Sequence, residues 1–95
     1  MFAKSMQLCL LGLLLPAFSY AQTVALTFRV NMQNEIISPQ GVHVAGDFQA
    51  PAGVGSNWDP AATLMTDADG DKIYQLSVQI PTGTYSYKFV NGNAW

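Results

Sequence analysis

The chain has 95 residues and a formal net charge of −2, with six carboxylates against four basic side chains. Four cations are too few to neutralise a run of phosphates. The composition therefore argues against nucleic acid and against anionic lipid surfaces as partners. The length allows one small domain and little more.

Residues 1–21 have the pattern of a secretory signal peptide. Lys4 supplies the positive start, residues 8–15 are apolar, and Ser19-Tyr20-Ala21 is a small-x-small cleavage site. The apolar run is about half of the roughly 20 residues that a membrane-spanning helix needs. We expect a signal-peptide helix whose removal leaves residues 22–95 as one module. That module would be periplasmic or extracellular in a bacterium and, since Cys9 is the only cysteine, free of disulfides.

Two segments alternate apolar and polar residues with the period of a half-buried strand. The first covers residues 24–31 and the second residues 73–80. Between them, a short strand at 42–44 is predicted to bury both valines and to leave His43 on the surface. Residues 62–66 could add a further short strand, whereas residues 49–60 are rich in Ala, Pro and Gly and predict a long loop with an exposed Trp58.

The last residues predict a strand followed by a tight turn. Tyr85, Tyr87 and Phe89 share one face of the strand and are expected in the core, which leaves Lys88 in solvent. Asn91-Gly92 is typical of a type I′ hairpin turn, after which residues 93–95 would begin a returning strand. Four or five short strands, with no helical period outside the signal segment, predict an all-β antiparallel sandwich.

The sequence lacks the residues that most enzymes bring together. His43 is the single histidine, no cysteine follows Cys9, and no Gly-x-Ser-x-Gly turn is present. We therefore expect neither a catalytic residue nor a cofactor.

A metal is a weaker alternative for one acidic loop. Asp67, Asp69 and Asp71 could supply oxygen ligands to calcium, but Lys72 stands where an EF-hand loop needs glycine, and Val78 where it needs glutamate. Asp-Gly between two strands is also a turn pattern in its own right. A turn is the favoured interpretation, and calcium the alternative.

The two tryptophans offer a different chemistry. An indole ring is a large apolar surface that can lie against the C–H face of a sugar, while polar neighbours bind the hydroxyls. Trp58, Trp95 and the outward Lys88 could form a shallow sugar platform. The opposing interpretation is that both indoles are packed in the core of a sandwich.

Four segments resemble the starch- and glycogen-binding modules, a group that includes the glycogen-binding domain of the AMP-activated kinase β subunit and the N-terminal modules of secreted amylase-like enzymes. The resemblance rests on the segments Gly41-Val-His-Val-Ala-Gly-Asp-Phe48, Asn57-Trp58, Asp69-Gly-Asp-Lys-Ile-Tyr74 and Ile80-Pro-Thr-Gly-Thr-Tyr-Ser-Tyr-Lys-Phe-Val-Asn-Gly-Asn-Ala-Trp95. The last of them is the most specific.

The resemblance implies an immunoglobulin-like early-set β-sandwich that binds α-glucans without catalysis. It makes Trp58 and Trp95 the stacking residues and Lys88 the donor to sugar hydroxyls. Residues 49–56 are an insertion relative to the family pattern, and the family continues with further strands after the position of Trp95. We therefore expect an incomplete sandwich at the front of a longer protein. The alternative is a structural module that positions a downstream enzyme or anchoring domain and binds no sugar itself.

Overall fold

The computed structural model describes residues 22–95, so the predicted signal peptide lies outside the described residues. Within this part of the chain no helix has the length and apolar character to cross a membrane. Four strands and one short helix follow one another in the order β1, β2, α1, β3, β4.

The first sheet pairs β1 (Thr23–Asn31) with β3 (Ile73–Pro81) in antiparallel register. Phe28 lies opposite Leu76, and Leu26 opposite Val78, so the apolar positions of both strands share one face. The structure thus confirms both long strands that the alternation of polar and apolar residues predicts, with ends within a residue or so of those predicted. It is the clearest case in which the period-two pattern alone fixes local structure.

The second sheet pairs β2 (Val42–Gly46) with β4 (Tyr87–Asn91), also antiparallel. The opposite side of β2 is bonded as well, because Val44 N–H donates to Thr63 O at 3.0 Å and Met65 N–H to Val42 O at 2.8 Å. In place of the short strand predicted at residues 62–66, the structure has isolated bridges, from Leu64 to His43 of β2 and from Thr66 to Gln75 of β3. The consequence is that β2 lies in the interior, and all five of its residues are buried.

The prediction that His43 lies on the surface is therefore wrong. Its side chain is only 5% exposed, and it lies opposite Val90 on one side and Leu64 on the other. An alternating pattern marks one buried face, but a strand with partners on both sides can be covered on both faces. Within residues 22–95 the Nδ1 atom of His43 has no hydrogen-bond partner.

Both sheets contribute to one apolar core. The Phe28 ring of β1 lies 4.5 Å from that of Phe48 and 5.0 Å from that of Tyr87, measured between ring centroids. The buried members of the core are Phe28, Met32, Val42, Val44, Phe48, Met65, Val78 and Ile80. Residues 22–95 are thus mostly β, as predicted, with two small antiparallel sheets and little helix.

The segment predicted to be a loop without regular structure contains one helical turn. Helix α1 (Gln49–Ala52) ends at Gly53, whose φ of 72° is left-handed and whose N–H donates back to the Ala50 carbonyl. Glycine adopts this conformation without a steric penalty, which is why the turn can close there.

The structure also corrects the predicted hairpin at the end of the chain. Asn91 belongs to β4, and its side chain accepts from Ser38 N–H at 2.9 Å and donates to Ile36 O at 2.8 Å. Of the two residues of the Asn-Gly pair, only Gly92 has a positive φ. Its N–H donates to Gly41 O at 2.8 Å, which extends the pairing of β2 with β4 by one bond. Asn91 therefore fastens the loop before β2, and residues 93–95 form no returning strand.

The three aromatic residues expected in the core near β4 are only partly covered. Tyr85 and Phe89 are half-buried, but Tyr87 is 50% exposed although its ring contacts Phe28. Tyr87 lies on an edge, since among residues 22–95 β4 has a strand partner on one side only. Lys88 is exposed, as the alternation predicts.

Candidate functional site

Trp58 and Trp95 lie side by side on the surface, although 37 positions separate them in the sequence. Their ring centroids are 6.4 Å apart, and the ring planes make an angle of 45°. The side chains are 40% and 66% exposed, respectively. The Trp95 Nε1–H donates to the main-chain carbonyl oxygen of Trp58 at 3.3 Å. We call these two residues the indole pair, and neither of them is part of the buried core.

The main chain of Trp58 has an unusual conformation. Its φ is 62°, in the left-handed region that bulky L residues adopt rarely and at a cost of about 1–2 kcal/mol. The conformation is held from outside, because the Trp58 N–H donates to the Gly46 carbonyl at 3.1 Å, at the end of β2. Strained residues of this kind occur preferentially at functional positions.

A buried glutamine organises the loop that carries Trp58. The Gln49 side chain is 0% exposed, and all of its polar capacity is used. Its Oε1 accepts from Gly46 N–H at 3.1 Å and from Asp59 N–H at 3.0 Å. Its Nε2 donates to Asp59 O and to Thr63 Oγ1, both at 2.9 Å. We call these four bonds the Gln49 network.

Asn57 secures the same loop from the other side of Trp58. Its Oδ1 accepts from Ala50 N–H at 2.8 Å, which satisfies a main-chain donor in α1. In the Asn-Trp motif, Asn57 therefore fixes the loop, and the next residue, Trp58, is exposed on its surface. Sequence reasoning missed Gln49, since a single glutamine in a segment of Ala, Pro and Gly carries no pattern that distinguishes it from a solvated side chain.

The Gly-Asp-Phe motif at residues 46–48 joins the end of β2 to the start of β4. A Cβ atom on Gly46 would lie 2.1 Å from the Ser86 carbonyl oxygen, so only glycine permits this approach of the two main chains. Asp47 N–H donates to that same oxygen at 3.1 Å, while its Oδ1 accepts from Ser86 N–H at 2.8 Å. Phe48 then enters the core fully buried. The motif thus fixes β4 against the point from which the Trp58 loop departs.

Lys88, the third predicted site residue, lies opposite Ala45 in the second sheet. Cross-strand partners share a face, and Ala45 and Lys88 lie on the face of the sheet opposite to Val44 and Phe89, which contribute to the core. Lys88 itself is exposed, although Ala45 opposite it is fully buried. The contacts found for the indole pair join Trp58 to Trp95 but do not include Lys88.

The acidic loop has the geometry of a hydrogen-bonded turn. One carboxylate oxygen from each of Asp67, Asp69 and Asp71 lies within 4.8 Å of the others. Asp67 accepts from Lys72 N–H at 2.9 Å and from Asp71 N–H at 3.1 Å, and Asp71 accepts from Ile73 N–H at 2.9 Å. Each carboxylate has about four acceptor sites, so these main-chain bonds leave oxygen sites over, and calcium takes six to eight oxygen ligands. The bonds explain the aspartates without a metal, and the calcium alternative stays a prediction.

The hydrogen bonds within the turn separate the pKa values of two of these carboxyls. The pKa of Asp69 is raised, chiefly by its side-chain hydrogen bond with Asp71. The pKa of Asp71 is lowered, chiefly because the Ile73 N–H donates to its carboxylate. Both groups are fully exposed, so these shifts describe the turn and do not mark a reactive site.

The segment that contains these features matches a known family. The family described as "Pullulanase X25 domain" matches residues 41–95, which is more than half of the chain. The chain belongs to this family. The match begins at the glycine before β2 and includes both tryptophans and Lys88.

Two curated relatives of this X25 chain carry the name amylopullulanase. One, from Thermoanaerobacterium saccharolyticum, is 37% identical over 54 residues, which are 55% of this chain and 4% of that protein. The other, from Thermoanaerobacterium thermosulfurigenes, is 35% identical over 54 residues, 55% of this chain and 3% of that protein. The chain thus spans only a few per cent of the length of these relatives. No solved structure matches it.

The family match supports the sequence-based resemblance at a coarser level. It confirms a pullulanase-type X25 domain, with amylopullulanase relatives in which the matched segment is a small part of a much larger protein. The likeness to the kinase β subunit stays a prediction, as do the sugar-binding roles of Trp58, Lys88 and Trp95.

Proposed function

We propose that this X25 chain is a non-catalytic module that binds α-glucan chains such as starch or glycogen. The observation that carries the proposal is the indole pair. Two neighbouring exposed aromatic rings are uncommon unless they serve an interface, because their apolar surface is left in water. Stacked against sugar rings, the same surface becomes buried.

The tilt between the rings suits an α-glucan. Successive glucose units of an α-1,4 chain turn relative to one another, so two rings at an angle can each meet one unit. The Nε1–H of Trp95 is directed to Trp58 rather than to solvent, so recognition by Trp95 would use its ring face. Such open stacking exchanges water contacts for protein contacts, and the affinity of one module is expected to be on the order of 10 μM to 1 mM.

The path of the chain supports a role for Lys88 on the same surface. Gly92 is bonded beside one end of β2, at Gly41, while Trp58 is bonded beside the other end, at Gly46. Residues 93–95 must therefore run back along β2 to bring Trp95 to Trp58. Val42 and Val44 pack into the apolar core, which leaves the other face of β2 for this path. Ala45 and His43 on that face are buried as well, and the exposed Lys88 lies opposite Ala45.

We further infer that the module is the front part of a longer secreted protein and that its full fold is an immunoglobulin-like sandwich. The predicted signal peptide supports export, and the two large relatives support attachment to a catalytic or anchoring domain. A weak glucan-binding module gains from such attachment, because tethering raises the effective concentration of substrate near the enzyme.

A structural module that binds no sugar is the second candidate. The observation in its favour is the hydrogen bond of Trp95 to Trp58, because it shows that the pair also ties the end of the chain to the loop after α1. The two candidates differ in what added oligosaccharide does to the indoles. A sugar site predicts that maltoheptaose changes their fluorescence, whereas a structural pair predicts no change.

Retention on insoluble amylose tests the proposal. The purified protein should be retained and should be released by soluble maltoheptaose, and the Trp95→Ala variant should be lost in the flow-through. Ile36→Ala is a matched control, because Ile36 is a large apolar residue that is 92% exposed in the loop before β2. Equal retention of wild type and Trp95→Ala would count against the indole pair as the binding surface.

A further inference from the structure

The Gln49 network lies directly behind the indole pair and touches the main chain next to it. We propose that Gln49 is a positioning residue that sets the angle and spacing of the two indoles, and through them the affinity for α-glucan. The last clause rests on the proposed function, whereas the positioning role can be tested without sugar.

The bonds on both sides of Trp58 lead to the same side chain. Trp58 N–H donates to Gly46 O, and the Gly46 N–H donates to Gln49 Oε1. The next residue, Asp59, is held through both its N–H and its C=O by the amide of Gln49. The main chain at Trp58 is thus fixed from the preceding strand and from the following residue, and one buried amide connects the two.

This arrangement explains how the left-handed conformation of Trp58 persists. A conformation that is unfavourable for tryptophan must be imposed by its surroundings. When the Gln49 bonds are removed, the loop is free to relax, and φ of Trp58 can return to the ordinary negative region. Because Trp95 Nε1 binds the carbonyl oxygen of Trp58, rotation of that peptide also withdraws the acceptor that orients Trp95.

The chemistry of the position calls for a neutral amide. The glutamine amide offers two acceptor sites and two donors, and all four are used here. Methionine has a similar length but no comparable donor or acceptor. An ionised glutamate keeps the two acceptor contacts but loses both donors and places a charge in a fully buried position. A protonated glutamate regains one donor.

The test uses the circular dichroism couplet that two neighbouring indoles produce through exciton coupling. The wild type should show this couplet, and either Trp58→Phe or Trp95→Phe should abolish it. Loss in both variants assigns the couplet to the indole pair. In Gln49→Met we expect the couplet to be lost and the amylose affinity to fall about tenfold or more, since buried polar partners lose their bonds. Cooperative unfolding and the far-ultraviolet β signal should remain.

Thr63→Val is the matched control. It removes the one bond of the Gln49 network that does not touch Gly46 or Asp59, so it should lower the melting temperature while the couplet and the affinity persist. A Gln49→Met protein with unchanged couplet and affinity would overturn the proposal.

If Gln49→Met does not fold, Gln49→Glu decides the matter. Its couplet should be absent at neutral pH and should return on acidification, when the carboxyl group is protonated and donates again. A folded, protonated Gln49→Glu protein without a couplet would also overturn the positioning role. Wild-type protein that shows the couplet but does not bind amylose would refute the proposed function and leave the positioning role intact.

Discussion

The indole nitrogen of Trp95 donates a hydrogen bond of 3.3 Å to the main-chain oxygen of Trp58. This bond joins the last residue of the chain to a loop that departs from the end of β2. It fixes the position of one ring relative to the other, because the donor belongs to the Trp95 side chain and the acceptor to the strained main chain of Trp58. The consequence for binding is that the ring faces are available to a ligand while the Trp95 donor is occupied.

Trp95→Phe separates the ring face from the hydrogen bond. Phenylalanine keeps an aromatic face but has no donor for Trp58 O, so amylose affinity should fall, though less than in Trp95→Ala. The bond is exposed, and its loss should lower the free energy of unfolding by no more than about 1 kcal/mol. Isothermal titration with maltoheptaose and chemical denaturation measure the two effects. Equal affinity for Trp95→Phe and Trp95→Ala would show that the stacking face of Trp95 contributes nothing.

Trp58→Asn tests the strain at the site. Asparagine tolerates the left-handed region that Trp58 occupies at a φ of 62°, so the substitution removes a main-chain penalty of about 1 kcal/mol while it removes the ring. We expect an unfolding free energy equal to or above that of the wild type, together with loss of amylose retention. Trp58→Ala also removes the ring, but alanine does not tolerate the left-handed region as asparagine does. It should therefore be less stable than Trp58→Asn. The opposite order of stability would argue against strain at Trp58.

The long strands and the exposure of Lys88 could be predicted because they depend on local alternation. Residues 24–31 and 73–80 each carry one face of the first sheet, and a period of two identifies such a face wherever the other face meets water. His43 could not be placed in this way. Its burial depends on the partners of β2 on both sides, namely Val90 of β4 and Leu64 after the long loop, and such tertiary contacts leave no trace in a five-residue window.

The candidate site shows the same division. Trp58 and Trp95 could be named as candidates from residue type and from the motif around them. Their contact depends on the path of residues 93–95, and the Asn91-Gly92 pattern predicted that path wrongly. Asn-Gly favours a turn only where Asn can adopt a positive φ, and here the Asn91 side chain is engaged with the 36–38 loop instead. Gln49 left no signal at all, because its four side-chain bonds go to three residues, Gly46, Asp59 and Thr63, at separate positions in the sequence.

Gly46→Ala should be far more damaging than an alanine at a glycine in open space. The added Cβ would lie 2.1 Å from Ser86 O, a main-chain atom that cannot move without breaking the second sheet. We expect destabilisation of about 3 kcal/mol or more. Gly70→Ala is the control, since a Cβ there meets nothing within 4 Å and only its φ of 73° opposes alanine, at a cost of about 1 kcal/mol. Similar denaturation midpoints for the two variants would contradict the close approach of β2 and β4.

The acidic turn makes a prediction about titration. Asp69 should titrate at a higher pH than Asp71, because its pKa is raised by the hydrogen bond with Asp71 while that of Asp71 is lowered by the Ile73 N–H. In Asp71→Ala the pKa of Asp69 should move down toward its ordinary value. Carbon-detected NMR of the side-chain carboxyls measures both. An Asp69 pKa that is unchanged in Asp71→Ala would remove Asp71 as the cause.

The same shifts give the sign of the pH effect on stability. A lowered pKa means that Asp71 stabilises the fold above its unfolded pKa and that this contribution is lost as the pH falls through the folded value. The raised pKa of Asp69 acts in the opposite sense, since its penalty is present when it is ionised and disappears on acidification. The two carboxyls of the turn therefore act in opposite directions on acid unfolding. Titration with calcium tests the metal alternative. A calcium site requires that added calcium raises the melting temperature of the wild type but not that of Asp71→Ala.

The last prediction concerns the groove beside β1 and β4. It measures about 240 Å³ and is lined by Val24, Leu26, Thr27, Phe28, Ile80, Pro81, Thr82, Gly83, Tyr85 and Tyr87. Within residues 22–95, β1 has β3 as its only strand partner and β4 has only β2, so each strand presents an open edge. Open edges with aromatic side chains favour the addition of a further strand, as expected if the module continues in a longer protein.

The proposal of a longer protein predicts that a native C-terminal extension of about 25–40 residues, a domain-size estimate, stabilises the chain. We expect a higher denaturant midpoint together with a steeper transition, since the added strands bury Tyr87, Val24 and the edges beside them. A Gly/Ser-rich extension of equal length is the control and should change neither quantity, because it has no apolar side chains to place in the groove. If both extensions leave the midpoint where it was, residues 22–95 do not need further strands to complete their fold.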